Sequence, residues 1–468
     1  MPGRIIEECT FTHRQVPGPV SKKAVEKLNP VWDSRAVYFV VDYAKSHDNF
    51  IVDVDGNEFL DVYSQIASIP VGYNNARLIE AAKSPQMILA LVNRPAVGNF
   101  PGENWLTQLK DGLLRVAPKG HNKVFTAQSG SEANELAYKA AFMRYRRRQR
   151  GEGVEWTQEE IDSCMNNAAP GSPDLAILSF KNSFHGRGFG SLSTTRSKAV
   201  HKLDIPAFNW PQAPFPALKY PLEDNVEANK AEEEACLKKV EELITSWHCP
   251  VAAVIVEPIQ SEGGDNHASP AFFQGLRKIT QEHDVMLIAD EVQTGFGATG
   301  KFWGHEHWNL ASPPDMVTFS KKAQTAGYFF GDDQLTPDKA YRQFNTWIGD
   351  PARIIMSNAV ISEILDNKLV EHTAQVGDKL YAALEKLATK YPDNIQNLRG
   401  KGNGTYIAFD TENPAALVGK MRSFGVNIGT CGTRTVRLRP MLVFEEGHIP
   451  RLVETFERAL TGGADGSK

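Results

Sequence analysis

The sequence predicts an α/β fold on a mostly parallel sheet, followed by a smaller α+β domain. Three observations lead there. Short apolar runs recur at Lys123–Thr126, Leu175–Phe180, Ala252–Val256, Met286–Ala289 and Met316–Phe319, and such runs suit strands buried on both faces of a parallel sheet. Helical patterns lie between them, which implies βα units. After about residue 350 the alternation gives way to long helical stretches with few strands.

In chain order, Phe50–Val54 and Phe59–Tyr63 read as strands rich in aromatic and β-branched residues, with Asp55-Gly56-Asn57 as the turn of a hairpin. Glu132–Arg150 has an acid at its start and bases at its end, as the dipole of a helix favours. In Ala231–Trp247 the residues Leu237, Val240, Ile244 and Trp247 fall on one helical face. A long helical stretch opens at Pro351, a residue suited to a first helical position. The glycine-rich segment Gly400–Gly404 follows, then a strand at Thr405–Phe409 and a helix near Pro414–Phe424. A strand at Thr435–Leu438 and a helix at Ile449–Leu460 close the chain. The expected division is an N-terminal segment 1–70 packing with the small domain, a large domain 71–350 and a small domain 351–468.

Composition narrows the function. The net charge of -5 argues against a nucleic-acid binder, which needs a basic surface. The one basic run, Arg144–Arg150, reads as the solvated end of a helix. Five cysteines, widely spaced and without CxxC, suggest a reducing compartment with no disulfide framework and no zinc knuckle. No apolar run approaches the roughly 20 residues that span a bilayer, and the acids Glu7 and Glu8 suit neither a signal peptide nor a transit peptide. A cytoplasmic protein is expected.

Four segments carry the chemistry. Leu287-Ile288-Ala289-Asp290 ends an apolar strand in an acid, where ligands of open α/β sheets bind. There a carboxylate can meet the ring nitrogen of pyridoxal phosphate, which is a better electron sink when protonated. About thirty residues on, Ser320-Lys321-Lys322 follows another strand, and a lysine there can form a Schiff base with a carbonyl cofactor. Ser129-Gly130-Ser131 joins a strand to a helix and can cradle a phosphate. Ser183-Phe184-His185-Gly186-Arg187 offers an aromatic ring to stack on a flat ligand and an arginine for a carboxylate. Singly, each reads as ordinary strand-end or helix-cap chemistry; together, in chain order, they form a cofactor site. Gly295-Phe296-Gly297-Ala298-Thr299-Gly300 fits the dinucleotide fingerprint, but Lys301-Phe302-Trp303-Gly304-His305 is a poor helix opening and the motif is discounted.

Longer runs are more specific. Val52-Asp53-Val54-Asp55-Gly56-Asn57, Tyr63-Ser64-Gln65-Ile66, Glu257–Asp265, Phe302–Trp308, Phe344-Asn345-Thr346-Trp347 and Val436–Pro440 resemble class III (omega) aminotransferases over nearly the whole chain. The match is to the branch that acts on 4-aminobutyrate, and Phe319–Gly327 looks most like its fungal members. The resemblance implies a type I pyridoxal-phosphate fold with a seven-stranded sheet, pyridoxal 5'-phosphate as cofactor and a homodimer. It makes Lys321 the cofactor lysine, with Lys322 the competitor. It pairs Asp290 with the ring nitrogen and Gln293 with the ring hydroxyl. Phe184 and Val292 take the two ring faces. Ser129, Gly130 and Ser131 hold the phosphate, which Thr346 reaches from the neighbouring subunit.

For substrates the resemblance implies that Arg187 binds the carboxylate common to 4-aminobutyrate and 2-oxoglutarate. Arg437 binds the second carboxylate of the diacid, Glu262 neutralises Arg437 when the monoacid is bound, and Ile66 lines the channel. Animal members carry Cys-x-x-Cys for an iron–sulfur cluster where this chain has Ser129 and Glu132, so no cluster and no metal site is expected. The expected reaction is transamination of 4-aminobutyrate with 2-oxoglutarate. The alternatives are an omega-aminotransferase for β-alanine or ornithine, a dinucleotide-dependent dehydrogenase resting on Gly295–Gly300, or a non-catalytic cofactor-binding protein, against which the intact Lys321 speaks.

Overall fold

A computed structural model describes residues 15–462. Their contacts divide them into two compact units. A central unit holds Ile88–Thr294 and His305–Asn358; a terminal unit holds residues 15–87, Gly295–Gly304 and residues 359–462.

In the terminal unit the predicted hairpin forms from β1 (Phe50–Val52) and β2 (Glu58–Asp61), antiparallel with Val52 opposite Glu58. Its turn is tied by one side chain. Asp53 accepts the N–H groups of Asp55 and Asn57 on Oδ1, at 3.0 and 2.8 Å, and the Asn57 amide on Oδ2 at 2.8 Å. Asp55 then accepts the N–H groups of Val20 and Ser21, at 2.7 and 2.9 Å, satisfying the start of the helix Pro19–Leu28.

The central unit is built on a seven-stranded sheet. In chain order its strands are β3 (Lys123–Ala127), β4 (Ala176–Phe180), β5 (Gln212–Ala213), β6 (Val251–Val256), β7 (Met286–Asp290), β8 (Met316–Phe319) and β9 (Ala326–Phe330). They lie in the order β3-β9-β8-β7-β6-β4-β5. β4 to β8 pair parallel, and only β9 runs against both its neighbours. Every residue of β6 and β7 is buried, which is why their sequences are continuous apolar runs rather than alternating ones. Sequence reading missed β5 and β9. β5 is two residues long. β9 follows β8 after a six-residue turn and contains Gly327, where a Cβ would lie 2.3 Å from the Phe125 carbonyl oxygen, so close approach of strands rather than strand propensity selects that residue.

The helix Gly130–Arg150 packs on this sheet through Ala133, Leu136, Ala137, Tyr138, Ala140 and Ala141. Its basic end is not simply solvated. Arg144 pairs with Asp332 at 3.3 Å and Asp284 at 3.6 Å, Arg146 and Arg150 pair with Glu160 at 2.9 and 3.7 Å, and Arg148 pairs with Asp284. The cations tie the helix end to three other segments.

The terminal unit is completed by β10 (Gln396–Arg399), β11 (Ile407–Asp410), β12 (Val426–Asn427), β13 (Gly429–Cys431) and β14 (Thr435–Leu438). β12 extends the hairpin in parallel with β2, and the others form an antiparallel sheet ordered β10-β11-β14-β13. Its core joins Leu380, Leu384 and Leu387 of the helix Leu369–Lys390 to Phe409, Val436, Leu438, Leu452 and Phe456. Gly295–Gly300 belongs here as a series of turns that opens no α-helix, so the segment lacks the helix start that a dinucleotide fingerprint requires.

Candidate active site

The site-forming loops leave the carboxyl ends of parallel strands in the central unit. β3 leads to Ser129–Ser131, β4 to Ser183–Arg187, β6 to Glu257–Glu262, β7 to Asp290–Gln293 and β8 to Ser320–Lys322. They surround a cavity of about 190 Å³. Of the residues singled out from sequence, Gly130, Ser131, Phe184, Glu262, Asp290, Val292, Gln293 and Lys321 line it.

The Asp290 carboxylate is held from three sides. Its Oδ2 hydrogen-bonds to Asn134 Nδ2 at 2.9 Å and His185 Nδ1 at 2.7 Å, and Oδ1 accepts the Val292 N–H at 3.0 Å. Asn134 also donates to the His185 carbonyl at 2.7 Å, which fixes the loop after β4. Three donors lock the carboxylate's direction, as an electrostatic partner for a ligand atom requires.

Lys321 and Lys322 separate cleanly. Lys321 lines the cavity from a backbone at φ 25°, a sparsely populated region for a non-glycine residue. Lys322 is 4% exposed, and its Nζ donates to the Gln293 carbonyl. The first lysine faces the site; the second anchors the segment that carries Val292 and Gln293.

Ser129, Gly130 and Ser131 stand at the start of a 21-residue helix. Ser129 caps it by accepting the Glu132 N–H at 3.3 Å, and Glu132 reaches back to the Gln128 N–H at 2.7 Å. A Cβ at Gly130 would stand 2.7 Å from Val292 Cγ1, so the loop closes on the cavity only with glycine there. Ser131 Oγ accepts the Arg187 N–H at 3.0 Å, joining the helix start to the loop after β4. A helix N-terminus with a side-chain-free approach is a ready anion site.

Three further residues escaped sequence reading. Glu257 accepts the Phe184 N–H at 2.9 Å on one oxygen and the Ser261 N–H at 3.1 Å on the other, bracing both loops. Burial, reinforced by Asp290, pushes its carboxyl well above the ordinary range. Its signal was the one used for Asp290, an acid ending an apolar run. His185 stood in a quoted segment but drew no role. Lys198 pairs with Glu262 at 2.7 Å and carried no signal.

Glu291 has no place at the cavity. Its Oε1 accepts the His305 N–H at 2.6 Å and hydrogen-bonds to the His305 ring at 2.7 Å, and Oε2 accepts the Thr294 hydroxyl. Burial alone would push this carboxyl up, but the His305 and Thr294 contacts outweigh it and leave it below its ordinary value. The folded state therefore binds fewer protons here than the unfolded chain. Its stabilisation is present above about pH 4.5 and is lost as pH falls through the lowered value. Glu291→Ala is expected to lower unfolding free energy by about 3–5 kcal/mol, measured by urea denaturation at neutral pH, and to flatten the stability profile on the acid side.

The remaining predicted residues are placed apart from that cavity's lining. Arg187 is exposed, its guanidinium 5.6 Å from the Phe184 ring. Thr346 is exposed on a loop tied to residues near the helix start: Asn345 donates to Glu132 at 2.8 Å and Gln128 donates to the Trp347 carbonyl at 2.8 Å. Ile66 and Arg437 belong to the terminal unit. Ile66 is half-exposed on Ser64–Ala67, four consecutive non-glycine residues at φ between 50° and 61°. The Ser64 hydroxyl, donating to the Arg439 carbonyl at 2.6 Å, pins this left-handed turn. Arg437, on β14 and 2% exposed, lies 5.7 Å from the Tyr63 ring just before that turn.

The fold and the site define an enzyme that works through a phosphorylated carbonyl cofactor, with a lysine and a held carboxylate at adjoining strand ends. The aminotransferase class-III family model matches residues 32–460. The chain is 61% identical over 446 residues to a 4-aminobutyrate aminotransferase of Emericella nidulans, covering 95% of this chain and 90% of that one. It is 47% identical to the mitochondrial 4-aminobutyrate aminotransferase of Sus scrofa, with coverage of 95% and 90%. Among solved structures, a lysine aminotransferase from M. tuberculosis superposes with a TM-score of 0.82 at 26% identity, covering 95% of this chain and all of the other. The chain belongs to the class-III aminotransferase family. It is therefore a pyridoxal 5'-phosphate enzyme, and the glycine-dependent cradle at residue 130 beside Lys321 and Asp290 fits that group.

Proposed function

We propose that this aminotransferase transfers the amino group of 4-aminobutyrate to 2-oxoglutarate, yielding succinate semialdehyde and L-glutamate in a ping-pong cycle. The observation that carries the reading is one cavity bordered by Lys321, Asp290, the Gly130–Ser131 helix start and Glu262. The names of relatives 47% and 61% identical support the substrate.

When bound, the cofactor supplies a carbonyl that takes up the amino group and a ring that draws electron density from the reacting carbon. The chain's residues do the rest. Lys321 would hold the cofactor, and its amine would serve as the base that takes a proton from the substrate carbon bearing the amino group. Lys322 is unsuited because its amine is committed to Gln293. Asp290 would pair with the ring nitrogen and Gln293 with the ring hydroxyl, and Phe184 and Val292 would hold the ring between them. Ser129, Gly130 and Ser131 would hold the phosphate. Arg187 clamps the carboxylate shared by both substrates. The parts given to Ile66 and Arg437 rest on the family resemblance. Glu262 serves as the movable anion that offsets Arg437 when the monoacid is bound; its pairing with Lys198 gives it a cationic partner within its own unit.

The reading includes a homodimer in which Thr346 reaches the partner's phosphate. Ile88, Leu89, Leu91, Val92 and Phe100 are each more than half exposed, an apolar surface that a second copy would cover. The Arg94 guanidinium stacks 3.7 Å over the Trp347 ring, so the Thr346 loop borders that surface. A cytoplasmic location suits the free thiols of Cys164, Cys236 and Cys249; no described helix is long and apolar enough to cross a membrane.

The deciding experiment compares kcat/KM for 4-aminobutyrate, β-alanine and ornithine with 2-oxoglutarate as acceptor. The highest value is expected for 4-aminobutyrate, with β-alanine second; turnover of ornithine without turnover of 4-aminobutyrate contradicts the reading. In single-turnover measurements Glu262→Ala is expected to slow the 4-aminobutyrate half-reaction about tenfold more than the glutamate one, a difference of ~1.4 kcal/mol. Equal losses in both would sink the movable-anion role.

A further inference from the structure

At the edge of the central sheet opposite the cavity, three side chains of mixed donor type converge. Asp174 lies two residues before β4 and Cys249 two residues before β6. These strands are parallel neighbours with Ala176 opposite Val251, and the Ala176 N–H donates to the Pro250 carbonyl at 2.9 Å. The sheet register therefore sets Asp174 beside Cys249. His248 joins them from the turn that follows the helix Val226–Ser246, its ring 5.1 Å from that of Trp247. A carboxylate oxygen, an imidazole nitrogen and a thiol sulfur all lie within 4.8 Å of one another.

We propose that Asp174, His248 and Cys249 bind one zinc ion per chain, with water completing a tetrahedral shell. Geometry and donor chemistry carry this. Around tetrahedral zinc, with bonds of about 2.0–2.3 Å, donors sit roughly 3.3–3.8 Å apart. His248 Nε2 and Asp174 Oδ2 already stand 3.4 Å apart. The third donor needs a movement of no more than about 1 Å to match the zinc spacing. Soft sulfur with imidazole selects a borderline ion such as zinc over magnesium or calcium, which take oxygen donors. Cys249 is buried, while Asp174 and His248 are exposed, which leaves the ion an entry path and an open position. Zinc there would link the chain segments entering β4 and β6 and stabilise the sheet edge as any native-state ligand does. The site is independent of the transaminase reading, because the cavity lies at the other ends of the same strands.

The test uses the full-length, cofactor-loaded protein, dialysed against zinc and then against zinc-free buffer, with bound metal measured by atomic emission. About one zinc per chain is expected. Cys249→Ser and His248→Ala are each expected to weaken retention more than about tenfold, since loss of even an outer-shell partner costs that much, and to keep transaminase activity. Zinc is also expected to raise the wild-type Tm in a concentration-dependent way, with magnesium having no effect. Zinc retention that is absent, or unchanged in both variants and in Asp174→Asn, overturns the proposal. Loss of transaminase activity in wild type would count against the proposed function instead.

Discussion

Lys321→Ala is expected to lower kcat by at least about 10²–10⁴-fold, the range that a positioned proton-transfer group contributes. The expectation follows from where the two adjacent lysines point. Lys321 lines the same cavity as Asp290, whereas the Lys322 amine is fastened to the Gln293 carbonyl. Lys322→Ala removes a charged donor from that half-buried carbonyl, so its expected effect is a stability loss of about 1–3 kcal/mol, with the chemical step largely retained once the protein is folded. Steady-state kinetics and denaturant titration of both variants separate the two roles. A Lys322 variant that folds normally yet loses turnover as fully as the Lys321 variant contradicts the assignment.

Asp290→Asn is expected to lower kcat about 10²–10³-fold, the cost of removing one preorganised electrostatic partner of a reacting group. Asparagine keeps the shape of the side chain but not its negative charge. It also places an amide among three donors, Asn134 Nδ2, the Val292 N–H and His185 Nδ1, so cofactor affinity should fall as well. Asn134→Ala keeps the charge and removes one orienting bond. Its loss should therefore be smaller and should appear in cofactor affinity before kcat. Equal kcat losses in Asp290→Asn and Asn134→Ala would mean that orientation, not charge, is what Asp290 supplies.

Much of this fold was legible from apolar runs, because strands buried on both faces must be continuously apolar. Met316–Phe319 and Thr435–Leu438 match their strands residue for residue. β9 was not legible because its role is set by a turn six residues long and by the Gly327 close approach, which are tertiary facts. At the site, Asp290 and the Ser129–Ser131 loop were readable as strand-end and helix-start chemistry, but Glu291 shared the same local signal and serves a different end. Which of two neighbouring acids faces a cavity depends on the alternation of side chains past the strand end, and that needs the packing of His305 to decide. Glu257 shows the reverse: an acid with the right local signal whose partners, Phe184 and Ser261, are visible only once β4 and β6 lie side by side.

The central claim is that the cofactor sits on Lys321 within this cavity. Borohydride reduction of the cofactor-loaded enzyme, followed by proteolysis and mass spectrometry, tests it directly. The cofactor-labelled peptide is expected to carry the modification on Lys321; label on Lys322, or on a lysine outside Ser320–Lys322, would contradict the account.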